Sequence, residues 1–119
     1  MALILLRTKW NNEAFKGMVE SPTNRRKATQ EAFRTIGWEL RDIYLCVASE
    51  TWHILAEGDP SKMIQAEILC RASGGYDSAE AEIVVTPEEF FDAASEMSQK
   101  IAEFDAPNRD EIDRMLLDE

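Results

Sequence analysis

The chain opens on an apolar run, Ala2-Leu3-Ile4-Leu5-Leu6, that fades into Arg7-Thr8-Lys9. An unbroken run of this kind predicts a strand over 2–9 that is covered on both faces. Phe15, Met18 and Val19 follow at i, i+3, i+4 spacing. That spacing predicts a short helix, with Asn11 or Asn12 as its cap. Ser21-Pro22 interrupts it and offers a new start, since proline suits a first helical turn. The helix so started is expected to reach about Ile36, turning Ala28, Ala32, Phe33 and Ile36 inward, with Gly37 as a left-handed stop. Residues 38–47 and 51–57 read as two strands that Ala48-Ser49-Glu50 joins into a hairpin. Gly58-Asp59-Pro60 ends the second of them. Asp59 can cap, and Pro60 can open, a helix over 60–72 that Gly74-Gly75 breaks. Residues 79–85 alternate as one more strand.

The order is strand, helix, strand, strand, helix, strand. It predicts an α+β domain over residues 1–86, an antiparallel sheet of the ferredoxin-like β-α-β-β-α-β kind with both helices on one side. The other side would ordinarily be wet. Here both parities carry large apolar groups: Leu3 and Leu5 oppose Ile4 and Leu6, and Trp52 and Ile54 oppose His53 and Leu55. Something should cover the second face. A second copy of the chain is the economical cover, which predicts a homodimer. The competing cover is a helical extension over 87–119. Thr86-Pro87-Glu88-Glu89 is a capping box with proline at the first helical position. Beyond it Phe90, Ala94, Met97, Ile101 and Phe104 run at four-three-four-three spacing, a short heptad seam that suits packing on the domain or on a dimer partner. Asn108 and Glu111 form a second box before a last helix with Ile112, Met115 and Leu116.

Charge changes the picture of partners. Of the 119 residues, 23 are acidic and 13 are Lys or Arg, a net charge of −10. Residues 1–71 are nearly balanced, with ten Lys or Arg against nine Asp or Glu. Residues 72–119 carry three against fourteen. An acidic pole repels nucleic-acid phosphates and anionic bilayers, so neither nucleic acid nor membrane is expected as a partner. The pole is either a solvated face or a docking surface for a basic protein. No stretch approaches the ~20 apolar residues of a membrane span. The opening apolar run is too short for a signal peptide, and its charges follow rather than precede it. Cys46 and Cys70 stand in no metal or redox spacing and read as small buried residues of a reduced, cytoplasmic protein.

Several short motifs, in order, resemble the GYD-domain family. They are the first strand near Leu3–Thr8, Ser21-Pro22 with Arg25 opening a helix, and Ile36-Gly37 closing it. Ile43-Tyr44-Leu45 then lies in the second strand, Glu57-Gly58-Asp59-Pro60 follows the third, and Thr86-Pro87-Glu88-Glu89-Phe90 follows the fourth. The resemblance covers about residues 2–91 and implies a dimeric α/β barrel. Where the family carries its Gly, Tyr, Asp cluster this chain has Ala48, Glu50 and Thr51. The literal Gly75-Tyr76-Asp77 lies elsewhere, before the fourth strand. The resemblance also implies that a small organic ligand can sit between sheet and helices, and that related barrels include enzymes working without metal.

A cleft for such a ligand needs aromatic walls and a few polar groups. Trp10, Trp38 and Trp52 are the candidate ligand-binding residues, with Tyr44 and Tyr76 as further aromatics. His53, the single histidine, is the candidate general base, and Tyr44 could orient or protonate an oxygen. Whether those two share a face depends on the hairpin register, which one residue of slip reverses. His53 could equally be a packed or edge residue. The basic stretch Arg25, Arg26, Lys27 and Arg34 reads as a solvated helix face. One histidine and no paired cysteines give no metal site, and no glycine-rich phosphate loop is present, so no cofactor is expected. Two readings remain open. One is a non-catalytic dimeric module for ligand or protein binding. The other is a cofactor-independent enzyme, of monooxygenase or isomerase type, with His53 as base.

Overall fold

A computed structural model describes residues 1–104, which form two compact units, Met1–Val84 and a second beginning at Val85. The first unit is α+β. Its four strands are β1 (Ala2–Trp10), β2 (Glu39–Cys46), β3 (Thr51–Gly58) and β4 (Tyr76–Val84). They form one antiparallel sheet in the order β2-β3-β1-β4, compatible with the ferredoxin-like arrangement. Three helices accompany it: α1 (Asn12–Glu20), α2 (Arg25–Arg34) and α3 (Met63–Ala72), the last preceded by a 3₁₀ turn over Pro60–Lys62.

Each boundary has a local cause. The Asn11 side chain accepts from the Ala14 N–H and caps α1. Ser21-Pro22 does not open α2, contrary to expectation. Ser21 closes α1, and α2 starts at Arg25 because the Asn24 side chain accepts from the Arg26 N–H. An Asn cap satisfies a free backbone donor, which Pro22 two residues earlier does not do. Gly37 takes φ +76°, the left-handed stop expected of it. Asp59 caps the next turn by accepting from the Ser61 N–H, with Pro60 first in it. Gly74 at φ +79° turns the chain into β4, which begins at Tyr76, three residues earlier than the alternation suggested.

The core lies on one face of the sheet. Ile4 and Leu6 from β1 and Ile54 and Ala56 from β3 are buried with Ile43, Phe33, Trp38 and Ala66. Phe33 of α2 meets the Trp38 ring edge to face, centroids 5.5 Å apart. Ala79 and Ala81 on β4 are small, and this lets α3 settle near the strand with Ala66 fully buried.

The opposite face is read off the register. One row across it is Tyr44, His53, Arg7, Glu80, and the next is Asp42, Leu55, Leu5, Glu82. Leu3, Leu5 and Leu55 are half-buried at its middle. Ion pairs surround them: Arg7 reaches Glu82 at 2.7 Å and Glu80 at 3.6 Å, and Arg41 pairs with Glu57 and Glu39. These pairs are exposed and solvent screens them, so each contributes little.

Cys46 departs from expectation. It is exposed, because it stands two residues after Tyr44 and so on the sheet face away from the helices, whereas Cys70 on α3 is half-buried. Hydrogen bonds from the Ser49 hydroxyl and backbone N–H hold the Cys46 thiol below its usual pKa. Burial, and then the Glu67 charge, push Cys70 up to about 11. The thiolate is the reactive form. At pH 8 iodoacetamide is therefore expected to alkylate Cys46 and leave Cys70 unmodified in the native protein, as read by peptide mass. Equal labelling would contradict the placement of Cys70.

The second unit holds α4 (Pro87–Ser98) and a 3₁₀ turn over Ile101–Glu103. The capping box is present as expected: Thr86 accepts from the Glu89 N–H and the Glu89 carboxylate accepts from the Thr86 N–H. The helix ends at Ser98, so Ile101 and Phe104 fall outside it and only Phe90, Ala94 and Met97 of the seam share it. Residues 105–119, where the last capping box and helix were expected, lie outside the described residues.

Candidate functional site

Three separate stretches meet beside the end of β1. Trp10 is its last residue. Ala14, Gly17 and Met18 come from α1, with Ser21 closing that helix and Arg25 opening α2. Ser73, Gly75 and Tyr76 come from the turn into β4. Together they line a cavity of about 360 Å³. That is within the range of small-molecule sites, roughly 300–1,000 Å³.

Backbone hydrogen bonds hold this corner. The Asn11 N–H donates to the Gly75 carbonyl at 2.9 Å, and the Asn11 amide donates to the Gly74 carbonyl at 2.8 Å. The Ser73 hydroxyl donates to the Cys70 carbonyl at 2.6 Å and accepts from the Gly75 N–H at 3.3 Å. One asparagine thus caps α1 and ties it to the β4 turn, which sets the spacing of the cavity walls.

The floor is aromatic. Trp10 is only 4 % exposed and meets Trp52 and Phe15 edge to face, at 5.1 and 5.7 Å between centroids. Thr8 pairs with Trp52 across β1 and β3. The Thr8 hydroxyl and the indole nitrogens of Trp10 and Trp52 are buried without a hydrogen-bond partner among the described residues. A buried donor left unmet costs roughly 1–3 kcal/mol, so three together in one corner call for a reason.

Charge on the wall is one-sided. Arg25 is half-buried, and among the described residues no Asp or Glu lines the cavity. Arg7, Arg26 and Arg41 each have a carboxylate partner, whereas Arg25 has none among the described residues.

The three candidate tryptophans are divided. Trp10 lines the cavity and Trp52 packs behind it. Trp38 lies towards the opposite end of the sheet, where its indole N–H donates to the Asp59 carbonyl at 3.0 Å beside Gly58. It also borders a smaller cavity of about 260 Å³ with Gln30, Arg34, Glu39 and Leu40.

His53 and Tyr44 stand directly opposite each other on β3 and β2, so they share the face away from the helices. Neither lines the cavity beside Trp10 or the one beside Trp38. Tyr44 is exposed and donates to Asp42 at 2.5 Å. That bond, with the charge of Asp42, raises the phenol above its usual pKa, and it leads the causes that lower Asp42. Tyr44 is therefore a protonated donor at neutral pH and not a base. Among the described residues no three His, Cys, Asp or Glu gather into a metal-binding group, and no helix is long and apolar enough to cross a membrane.

Gly17, Arg25 and Ser73 were not singled out as site residues by the sequence. Gly17 offered the one local signal. A glycine inside a helix costs about 1 kcal/mol relative to alanine, yet a Cβ at Gly17 would meet nothing within 4 Å. No packing in the chain itself requires it, and open space beside a mid-helix glycine marks a cavity wall. Comparison with family models, with curated proteins and with solved structures finds nothing that matches this chain, so the reading of the cavity rests on its own residues.

Proposed function

We propose that the chain is a non-catalytic, homodimeric module that binds a small organic ligand in the cavity beside Trp10. The carrying observation is that cavity of about 360 Å³, lined by Trp10, Met18 and Tyr76 with a half-buried Arg25 beside them. A concave site with an aromatic floor and a few polar groups is the usual form of a small-molecule site. Homodimerisation is supported by the sheet face away from the helices. It has half-buried leucines at its middle and alternating Arg and Glu around them, a pattern that can meet its own copy across a two-fold axis.

Gly17→Leu provides the test. Leucine is a strong helix former, and its side chain would grow into open space on the cavity wall. The variant is expected to be about as stable as the parent, or up to ~1 kcal/mol more stable, and to lose binding. A set of small aromatic acids, amides and alcohols would be screened by ligand-observed NMR against both proteins. Compounds held by the parent and released by Gly17→Leu support the reading, and binding that survives Gly17→Leu contradicts it. Light scattering at micromolar concentration tests the dimer. Twice the chain mass of 13.5 kDa is expected, and a monomer contradicts it.

A further inference from the structure

We infer that the ligand class of this cavity is a small planar organic anion, a ring-bearing carboxylate whose charge meets Arg25 and whose ring packs beside Trp10. The inference rests on the ligand-binding reading above and narrows it.

Charge points to an anion. Among the described residues no Asp or Glu is on this wall, and Arg25 is the one lining residue charged at neutral pH. It is half-buried, and it has no carboxylate partner among the described residues. A guanidinium in that position fits a carboxylate with two parallel N–H donors.

The floor points to an aromatic body. Trp10 lines the cavity with a ring that is only 4 % exposed and whose nitrogen is closed off, so it offers carbon surface and no donor. Phe15 and Trp52 already pack on the Trp10 ring and fix its plane before any ligand arrives.

Shape points to a ring. Met18 and Tyr76 stand on the wall with Trp10, and these three surfaces suit a flat apolar body. Ser21 adds a hydroxyl at the end of α1, next to the start of α2 where Arg25 sits.

Isothermal titration with benzoate, its neutral isostere benzamide, and acetate tests each part on the full chain. The parent is expected to hold benzoate about tenfold tighter than benzamide, since a charge-assisted bond is lost in the amide. Acetate is expected to bind weakly or not at all. Arg25→Gln should erase the preference for benzoate while leaving the benzamide affinity in place. Equal affinities for benzoate and benzamide, an unchanged preference in Arg25→Gln, or acetate matching benzoate would each overturn the inference. So would failure of both aromatic probes to bind. In that last case, capture of any other screened compound that Gly17→Leu releases would leave the ligand-binding reading standing. Capture of none would remove both.

Discussion

Gly58→Ala is expected to destabilise the domain by about 3–5 kcal/mol, the range for losing a large aromatic from a core. Gly58 ends β3, and a Cβ there would fall on the Trp38 ring, within 2.9 Å of its Nε1 and closer still to Cδ1. The backbone is not the obstacle, because Gly58 is not among the residues with positive φ. The collision alone decides. Trp38 is 2 % exposed, packs on Phe33, and donates to the Asp59 carbonyl. Moving it opens the core and leaves a buried donor unmet. Domain stabilities are of order 5–15 kcal/mol, so much of the total would be lost. Urea denaturation should show a large fall in midpoint with an unchanged slope. Trp38→Leu in the Gly58→Ala background should recover part of the loss, because the two residues act through one contact. A loss below 1 kcal/mol would mean that the ring does not lie over Gly58. The same glycine-to-alanine change at Gly17, where a Cβ meets nothing within 4 Å, is expected to go the other way by up to ~1 kcal/mol.

Phe33→Ala should cost a similar amount, about 3–5 kcal/mol. Phe33 is the buried residue of α2 and is 2 % exposed among Ile4, Leu6, Trp38 and Ile43. Its removal leaves a cavity that β1 and β3 cannot fill, since their paired backbones are fixed at the middle of the sheet. Phe33→Leu retains more volume and should cost less, roughly half as much. A ratio near one, or a loss below 1 kcal/mol for alanine, would contradict the placement of α2 over the sheet.

Local chemistry was the part of this fold most legible in the sequence. Asp59-Pro60 and the Thr86–Glu89 box announce helix starts through bonds that close within three residues, and both are present. The run 2–9 announced β1, flanked on both sides in the sheet. Errors arose where two local signals competed. Pro22 and Asn24 could each open α2, and the side-chain bond at Asn24 decided. Heptad spacing to Phe104 outran the helix, which stops at Ser98 because spacing alone does not carry hydrogen bonds. Cys46 looked like a buried residue because a strand with apolar groups in both parities does not reveal which face the helices cover.

The cavity was the least legible part. Its walls come from residues 10, 14–25 and 73–76, and only the sheet register and the Asn11 tie bring them together. Trp10 was readable as an aromatic wall, but nothing local distinguished it from Trp38, which proved to be a packed residue with a satisfied N–H. Arg25 read as one more cation on a basic helix face. Its meaning depends on which acids are absent around it in space. The pairing of Tyr44 with His53 was likewise a matter of register, which the hairpin's sequence left open by one residue.

The central claim is that Trp10 floors a ligand site. Its three tryptophans give the chain three indole N–H signals in a ¹⁵N correlation spectrum, each assignable by a Trp→Phe variant. Titrating the ¹⁵N-labelled protein with benzoate reads the claim at the residue it names. The account predicts that the Trp10 signal shifts as a benzoate ring packs beside its indole, while the Trp38 signal, away from the cavity and bonded to Asp59, stays in place. A Trp10 signal that stays fixed through saturation with benzoate, or that moves no more than Trp38, would contradict it.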